Sequence, residues 1–262
     1  EEYLVYTGLD QFLSSTDNLL ISPSVYFQFQ DGSYRFDLDN YMKRICGDNT
    51  SYNMLYDYGL RHRMLGANIV GKYYLSDLTI TAGVNGYKFS RDHFLDSKSQ
   101  NIPIDEYYSN RGIKSDISTF AMLQYNPVEK ITLSGNIQYR YAAFDYHDYV
   151  NTNNSFYRND NDTEWNFINY GFTFEYTPEN STKVYAKFNH VNREPTRSDM
   201  FGGNESYTGE LVTIKPEKAN DVEFGFEYAL GNKIYASFNY YNMWFKNELI
   251  LNGEYGLNGL PC

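Results

Sequence analysis

The chain has 262 residues and a formal net charge of -11, with a pI near 4.8, which excludes the basic footprint that nucleic-acid phosphates require. Aromatic residues make up 18% of it, 28 Tyr and 18 Phe against 2 Trp, an excess of side chains that are apolar in body and, for Tyr, polar at the tip. Mean hydropathy is -0.60, and no stretch approaches the roughly 20 apolar residues of a membrane helix; a membrane-spanning strand is not excluded, because it shows lipid only every second residue.

In chain order, the first clear alternation is 77–87. There Leu78, Ile80, Ala82 and Val84 face one way and Thr79, Thr81, Gly83 and Asn85 the other. In 115–125, Ile117, Thr119, Ala121, Leu123 and Tyr125 alternate with Asp116, Ser118, Met122 and Gln124, and Phe120 interrupts the polar side. The cleanest strand is 131–141: Ile131, Leu133, Gly135, Ile137, Tyr139 and Tyr141 oppose Thr132, Ser134, Asn136, Gln138 and Arg140. The pattern returns in 165–177, with Ile168, Tyr170, Phe172, Phe174 and Tyr176 on one side. It returns again in 221–229, with Val222, Phe224, Phe226 and Tyr228.

The connections alternate as well. Short turns are expected at Thr16-Asp17, Ser76-Asp77, 126–130, 178–181 and Gly231-Asn232, all rich in Gly, Pro, Asn, Asp and Ser. Long polar connections are expected at 39–53, 91–113, 147–164 and 193–220. This rhythm predicts about ten long strands with one trimmed end and one elaborated end, the plan of an antiparallel up-and-down transmembrane β-barrel. A soluble β-sandwich has strands of about five or six residues and turns of similar size at both ends. Tyr also crowds the strand ends, at Tyr73-Tyr74, Tyr139, Tyr141, Tyr176, Tyr228 and Tyr240-Tyr241, as interfacial girdles do. No helix-period segment or linker divides the chain, so residues 1–262 are expected to form one partial barrel domain. Glu1-Glu2-Tyr3 is not the start of a signal peptide, which fits a mature or partial chain. Cys46 and Cys262 make no disulfide framework or metal site, and whether they are free stays open.

No nucleophile motif G-x-S-x-G and no H-E-x-x-H occurs, so catalysis is not expected, nor is a resident cofactor. The clusters Asp92-His93-Asp96 and Asp145-His147-Asp148 read as solvated polar residues near strand ends. Asp160, Asp162 and Glu164 space carboxylates two apart, as calcium loops do, but lack the defining Gly and the full ligand set. Inward-facing Asn136, Gln138, Arg140, Glu175, Glu223 and Glu227 need only water or protein against them. Arg193, Glu194, Arg197 and Asp199 combine opposite charges at the foot of a long loop and are expected to anchor it by ion pairs. Pro195 and Pro216 would stop the ladder at either end of that loop. Ligand contact is expected from loop aromatics and histidines, namely His93, Tyr107, Tyr108, His147, Tyr149, Tyr157 and Tyr207. Each taken alone reads first as an ordinary loop residue.

One ordered set of motifs is more specific. Arg193-Glu194-Pro195-Thr196-Arg197 is followed by Lys215-Pro216-Glu217 and Asp221-Val222-Glu223-Phe224-Gly225, then by Asn239-Tyr240-Tyr241-Asn242-Met243. Upstream lie Gly86-Tyr87, Asp92-His93-Phe94, Tyr107-Tyr108-Ser109-Asn110, Lys114-Ser115-Asp116 and Gln138-Tyr139-Arg140. From about residue 55 to 260 this succession resembles the barrel of TonB-dependent outer-membrane receptors of Bacteroidetes-like bacteria. The resemblance implies the middle part of a larger barrel in the bacterial outer membrane, with the plug domain of such receptors not present in this chain. It implies active uptake of a bulky, scarce nutrient such as a ferric siderophore, haem or cobalamin, driven by a TonB-type energy complex through the plug. It further implies contact with membrane lipid and lipopolysaccharide, and leaves room for a surface lipoprotein partner. A passive outer-membrane porin is the alternative; it shares the alternation but not the ordered motifs.

Overall fold

The computed structural model describes residues 2–10, 13–16, 18–47, 49–51, 53–99, 102–149, 161–179, 181–200, 214–231 and 234–250. It is one antiparallel sheet. The strands are β1 (Glu2–Asp10), β2 (Leu13–Thr16), β3 (Leu19–Asp37), β4 (Met54–Tyr74), β5 (Leu78–Ser99), β6 (Ile102–Val128), β7 (Ile131–Asp148), β8 (Asn161–Glu179), β9 (Thr182–Arg193), β10 (Glu217–Leu230) and β11 (Ile234–Lys246). Each pairs with its sequence neighbour, in the order β1-β3-β4-β5-β6-β7-β8-β9-β10-β11, with β2 also on β3. β1 and β2 act as one interrupted strand, so the ten strand positions expected from the alternation are all present. Pro23 stands on β3 between the stretch paired by β2 and the stretch paired by β1. A residue without an N–H is tolerated there because the ladder is broken opposite it. The sheet does not close: β1 and β11 are its two ends among the described residues. The only helical turns among these residues are α1 (Leu38–Tyr41) with a π-turn at Met42–Cys46, and α2 (Arg197–Met200). No helix of the described residues is long and apolar enough to cross a membrane, which says nothing of the strands.

The short turns fall where the turn residues predict them, between β4 and β5, β6 and β7, β8 and β9, and β10 and β11. Gly231 takes a left-handed φ of +55°, which a residue without Cβ reaches at little cost. The long connections are a different matter. Most of 91–113 is not loop but paired strand, from Arg91 paired with Gly112 to Ser99 paired with Ile102, with register shifts between Leu95 and Asp96 and between Ser97 and Ser99. β6 alone has 27 residues, about 90 Å at roughly 3.3 Å per residue, where a tilted membrane strand needs only about 9–11. The apolar/polar alternation stops well before the pairing does. Periodicity therefore does not mark the end of the strand.

Register carries the alternation across the whole sheet. Pro23, Ile69, Val84, Thr119, Tyr139 and Ile168 form one row of successive Cα partners on one face. Ser24, Asn68, Asn85, Ser118, Arg140 and Phe167 form the adjacent row on the other. The burial is inverted relative to a water-soluble protein. Ile117 is 59% and Ile137 54% exposed, while Asp116 is 3% and Glu194 7% exposed. Apolar groups leave water and buried charges demand partners. An outer surface of aliphatic and aromatic side chains with charges held inside is stable when the outer solvent is hydrocarbon.

Candidate functional site

The buried charges gather on the polar face, at the end of the sheet away from the short turns. β9 ends at Arg193, whose guanidinium meets Glu217, its Cα partner on β10, at 2.6 Å. This pair closes the base of the connection that the sequence marks with Pro195 and Pro216. The chain then folds back over the polar face. Thr196 and Asp199 cap α2 reciprocally: the Asp199 N–H donates to Thr196 Oγ1 (3.3 Å) and the Thr196 N–H donates to Asp199 Oδ2 (2.7 Å). This is the capping-box arrangement, here holding a single turn.

Glu194 is the pivot. Both of its carboxylate oxygens accept from Arg140 on β7, at 2.6 and 2.7 Å, and Lys114 on β6 donates to it as well. The Arg140 Nε also donates to Asp116 Oδ2 at 2.7 Å. The four side chains form a network spanning β6, β7 and the segment after β9. Such a network offsets the desolvation cost of its charges because both carboxylates accept charge-assisted hydrogen bonds from Arg140, and Glu194 a further one from Lys114. Burial pushes the Glu194 carboxyl up, but the hydrogen bonds from Arg140 and Lys114 outweigh it and hold the group at about 2. Beyond Pro195, Arg197 donates to Asn110 Oδ1 at 2.8 Å and lies 5.7 Å from the centre of the Tyr146 ring.

Between this folded-back segment and the sheet is a cavity of about 350 Å³. Its polar lining is Arg91, His93, Lys114, Glu194, Thr196 and Arg197, and its aromatic lining includes Phe144 and Trp165. Three cations face one carboxylate. Phe144 packs over Gly112 of β6, where an added Cβ would come within 3.2 Å of the ring. Further along the same face, Tyr34 and Tyr58 stack at 4.9 Å with an interplanar angle of 9°, and Tyr56 and Phe36 continue the cluster.

The loop-anchor residues Arg193, Glu194, Arg197 and Asp199 thus lie together, each with a defined partner. The residues proposed for ligand contact do not. His93 is on β5 and lines the cavity. His147 is the Cα partner of Arg111, and by strand alternation both lie on the opposite face. Tyr149 follows it, 5.5 Å from the Arg111 guanidinium. Tyr107 and Tyr108 are on β6, with side chains outside the described residues, as are Tyr157 and Tyr207. Of the calcium candidates, Asp162 faces Asp145 as its Cα partner, Glu164 accepts from Tyr141 at 2.7 Å, and Asp160 lies outside the described residues. Among the described residues no three His, Cys, Asp or Glu side chains draw together as metal ligands do. Arg91 and Trp165 escaped the sequence reading because nothing local marks them, and Asn110 and Lys114 entered it only as parts of the ordered motifs, without a role at this site. Lys114 meets a carboxylate 80 positions away.

A family profile described as "TonB dependent receptor-like, beta-barrel" matches residues 3–260. No curated protein matches the chain. Among solved structures, the copper transporter OprC is 18% identical with a TM-score of 0.70, over 91% of this chain and 38% of its own. The ferric yersiniabactin uptake receptor FyuA from Yersinia pestis is 11% identical with a TM-score of 0.69, over 94% and 36%. The ferric citrate transporter FecA, solved unliganded, is 11% identical with a TM-score of 0.69, over 96% and 36%. At these identities the likeness is one of fold, and the chain spans less than two fifths of the length of these structures.

Proposed function

The chain belongs to the TonB-dependent receptor-like β-barrel family, and from that premise we propose that it forms part of the wall of an outer-membrane receptor for active uptake of a bulky, scarce nutrient. The exposed aliphatic face meets lipid, the polar face lines the lumen, and the elongated strand ends stand outside the cell. The receptor works with a TonB-type energy complex acting through a plug domain, and its wall carries out no covalent chemistry. The cargo is a metal chelate of the ferric siderophore or haem kind.

The observation that carries the reading is the cavity beneath Glu194–Met200, with three cations against one carboxylate and aromatic walls. Aromatic faces take up flat ring systems, and fixed cations take up carboxylates or phenolates. Cobalamin, a larger and less anionic cargo, suits this lining less well than a ferric siderophore or haem.

The test is made in the full-length receptor. Arg91→Gln with Arg197→Gln should weaken capture of an anionic ferric chelate at least tenfold, while the protein still reaches the outer membrane and keeps its heat-dependent gel shift. Uptake should also stop when the proton gradient across the inner membrane is collapsed. Continued uptake without the gradient would identify a passive porin instead. Undiminished capture by the double variant would remove the cavity from the ligand path.

A further inference from the structure

The cavity beneath Glu194–Met200 is smaller than the cargo proposed for it. Its volume is about 350 Å³. A water-sized group takes up roughly 30 Å³, so about a dozen non-hydrogen atoms fill the space. That is one arm of a bulky chelate, and the metal with its coordinating shell stays outside.

The charges around it fall into two sets. Lys114, Arg140, Asp116 and Glu194 bond to one another, two cations against two carboxylates. Arg91 and Arg197 stand outside that network. Arg91 Nη2 donates to His62 Nδ1 at 3.4 Å, and its guanidinium lies 5.0 Å from the centre of the Phe89 ring. Arg197 Nη2 donates to Asn110. These and other contacts hold both side chains in place, yet they do not use every donor. Arg91 Nε and Arg197 Nε and Nη1 are buried and meet no hydrogen-bond acceptor among the described residues. A buried donor without an acceptor is costly, so the lining is complete only when an oxygen enters it.

The rest of the lining tells what carries that oxygen. Phe89, Phe144, Trp165, Pro195 and Met200 are apolar. A carboxylate on a short alkyl stem matches both parts, its head on the arginines and its hydrocarbon on the rings. A phosphate has oxygens on every side and would press some of them against the apolar wall. Outside the cavity, the next inward residue on β5 beyond His93 is Leu95. Its Cα partner is Tyr58, which is partnered in turn by Tyr34. The stacked tyrosines therefore lie one row outward of the cavity, and Tyr34 is 63% exposed.

We infer that the cavity is an arm pocket that selects chelates bearing a free aliphatic carboxylate. The carboxylate enters between Arg91 and Arg197, and the metal-bearing body rests outside, against Tyr34. The inference rests on the uptake reading proposed above and names the substrate class within it. Haem, through its propionates, and ferric hydroxycarboxylates belong to that class. Tris-catecholates and tris-hydroxamates do not, because their charged oxygens all bind the metal and no charged arm is left to enter.

The test is calorimetric titration of the full-length receptor in detergent with four probes: haem, ferric citrate, a ferric tris-catecholate and a ferric tris-hydroxamate. Haem or ferric citrate should bind at least tenfold more tightly than either tris-chelate. Arg91→Gln with Arg197→Gln should erase that preference; a variant that weakens all four probes alike would reduce the arginines to a structural role and overturn the pocket. A measurement on the unaltered protein needs no variant to fold. At constant ionic strength, millimolar glutarate should displace the carboxylate chelate and its neutral analogue glutaramide should not. Equal displacement by both, or by neither, would overturn the pocket. Tyr34→Ala should weaken the carboxylate chelate at least threefold and leave the inhibition constant of glutarate unchanged, since arm and body bind apart. An unchanged chelate affinity or a shifted constant would overturn that arrangement. Tightest binding of a tris-chelate would leave uptake standing and remove the arm pocket. Capture of none of the four would take the uptake reading down with it, which is a different result.

Discussion

Ile137 and Arg140 stand three residues apart on β7 and live under opposite rules. Ile137 is exposed on a face of aliphatic and aromatic side chains, where any charge would be surrounded by hydrocarbon. Arg140 is mostly buried on the other face, where its charge is required because Asp116 and Glu194 depend on it. In a water-soluble sheet the arginine would be the tolerant position and the isoleucine the intolerant one. Here both are intolerant, for unrelated reasons, and the tolerant positions are inward residues such as Asn136 that face water without a partner.

The comparison breaks most sharply at Arg140. Arg140→Ala leaves Asp116 and Glu194 buried with only Lys114 to compensate them, and should cost about 3–5 kcal/mol in denaturant titrations of the refolded barrel. A loss below about 1 kcal/mol would mean that water reaches the network. Next in size are Ile137→Arg and Phe172→Arg on the lipid face, each costing about 2–4 kcal/mol near the bilayer midplane. Asn136→Arg, one residue from Ile137, should be tolerated, and equal damage at both positions would show that the faces are reversed.

A smaller effect appears on acidification. The Glu194 carboxyl is held at about 2 in the folded protein, below the roughly 4.3 of an unfolded glutamate. Its contribution to stability is therefore complete above about pH 5 and is lost as pH falls from there toward 2. Glu194→Gln should flatten the acid limb of stability against pH over that window; an unchanged limb would assign it to other carboxylates. The smallest effect expected is at Thr196, where Thr196→Ala removes one half of a reciprocal cap and should cost about 1 kcal/mol. It should act locally, as faster amide exchange in residues 196–200 and no change in the sheet.

Period-two alternation, turn residues and the short–long rhythm of the connections were enough to read an antiparallel barrel wall from the chain, because lipid constrains every second side chain and a tight turn admits few residue types. The ordered motifs from Arg193 to Met243 were enough to indicate the family. The same pattern misjudged 91–113 as a loop. Where both faces of a strand are wet, nothing local distinguishes a ladder from a connection, and only backbone pairing with a neighbour decides.

The four-residue set at the loop foot could be picked out because opposite charges stood close together along the chain. That Lys114, Asp116 and Arg140 are its partners could not, since they come from two other strands and nothing in their own motifs points to Glu194. The ligand candidates show the same limit from the other side. His93 and His147 look alike in sequence, each flanked by aspartates, yet register puts them on opposite faces of the sheet. Sequence by itself determined which side chains alternate and hence the kind of solvent each face meets. Tertiary structure alone decided which charges share a buried network and which residues surround a common cavity, because cross-strand register converts positions tens of residues apart into neighbours.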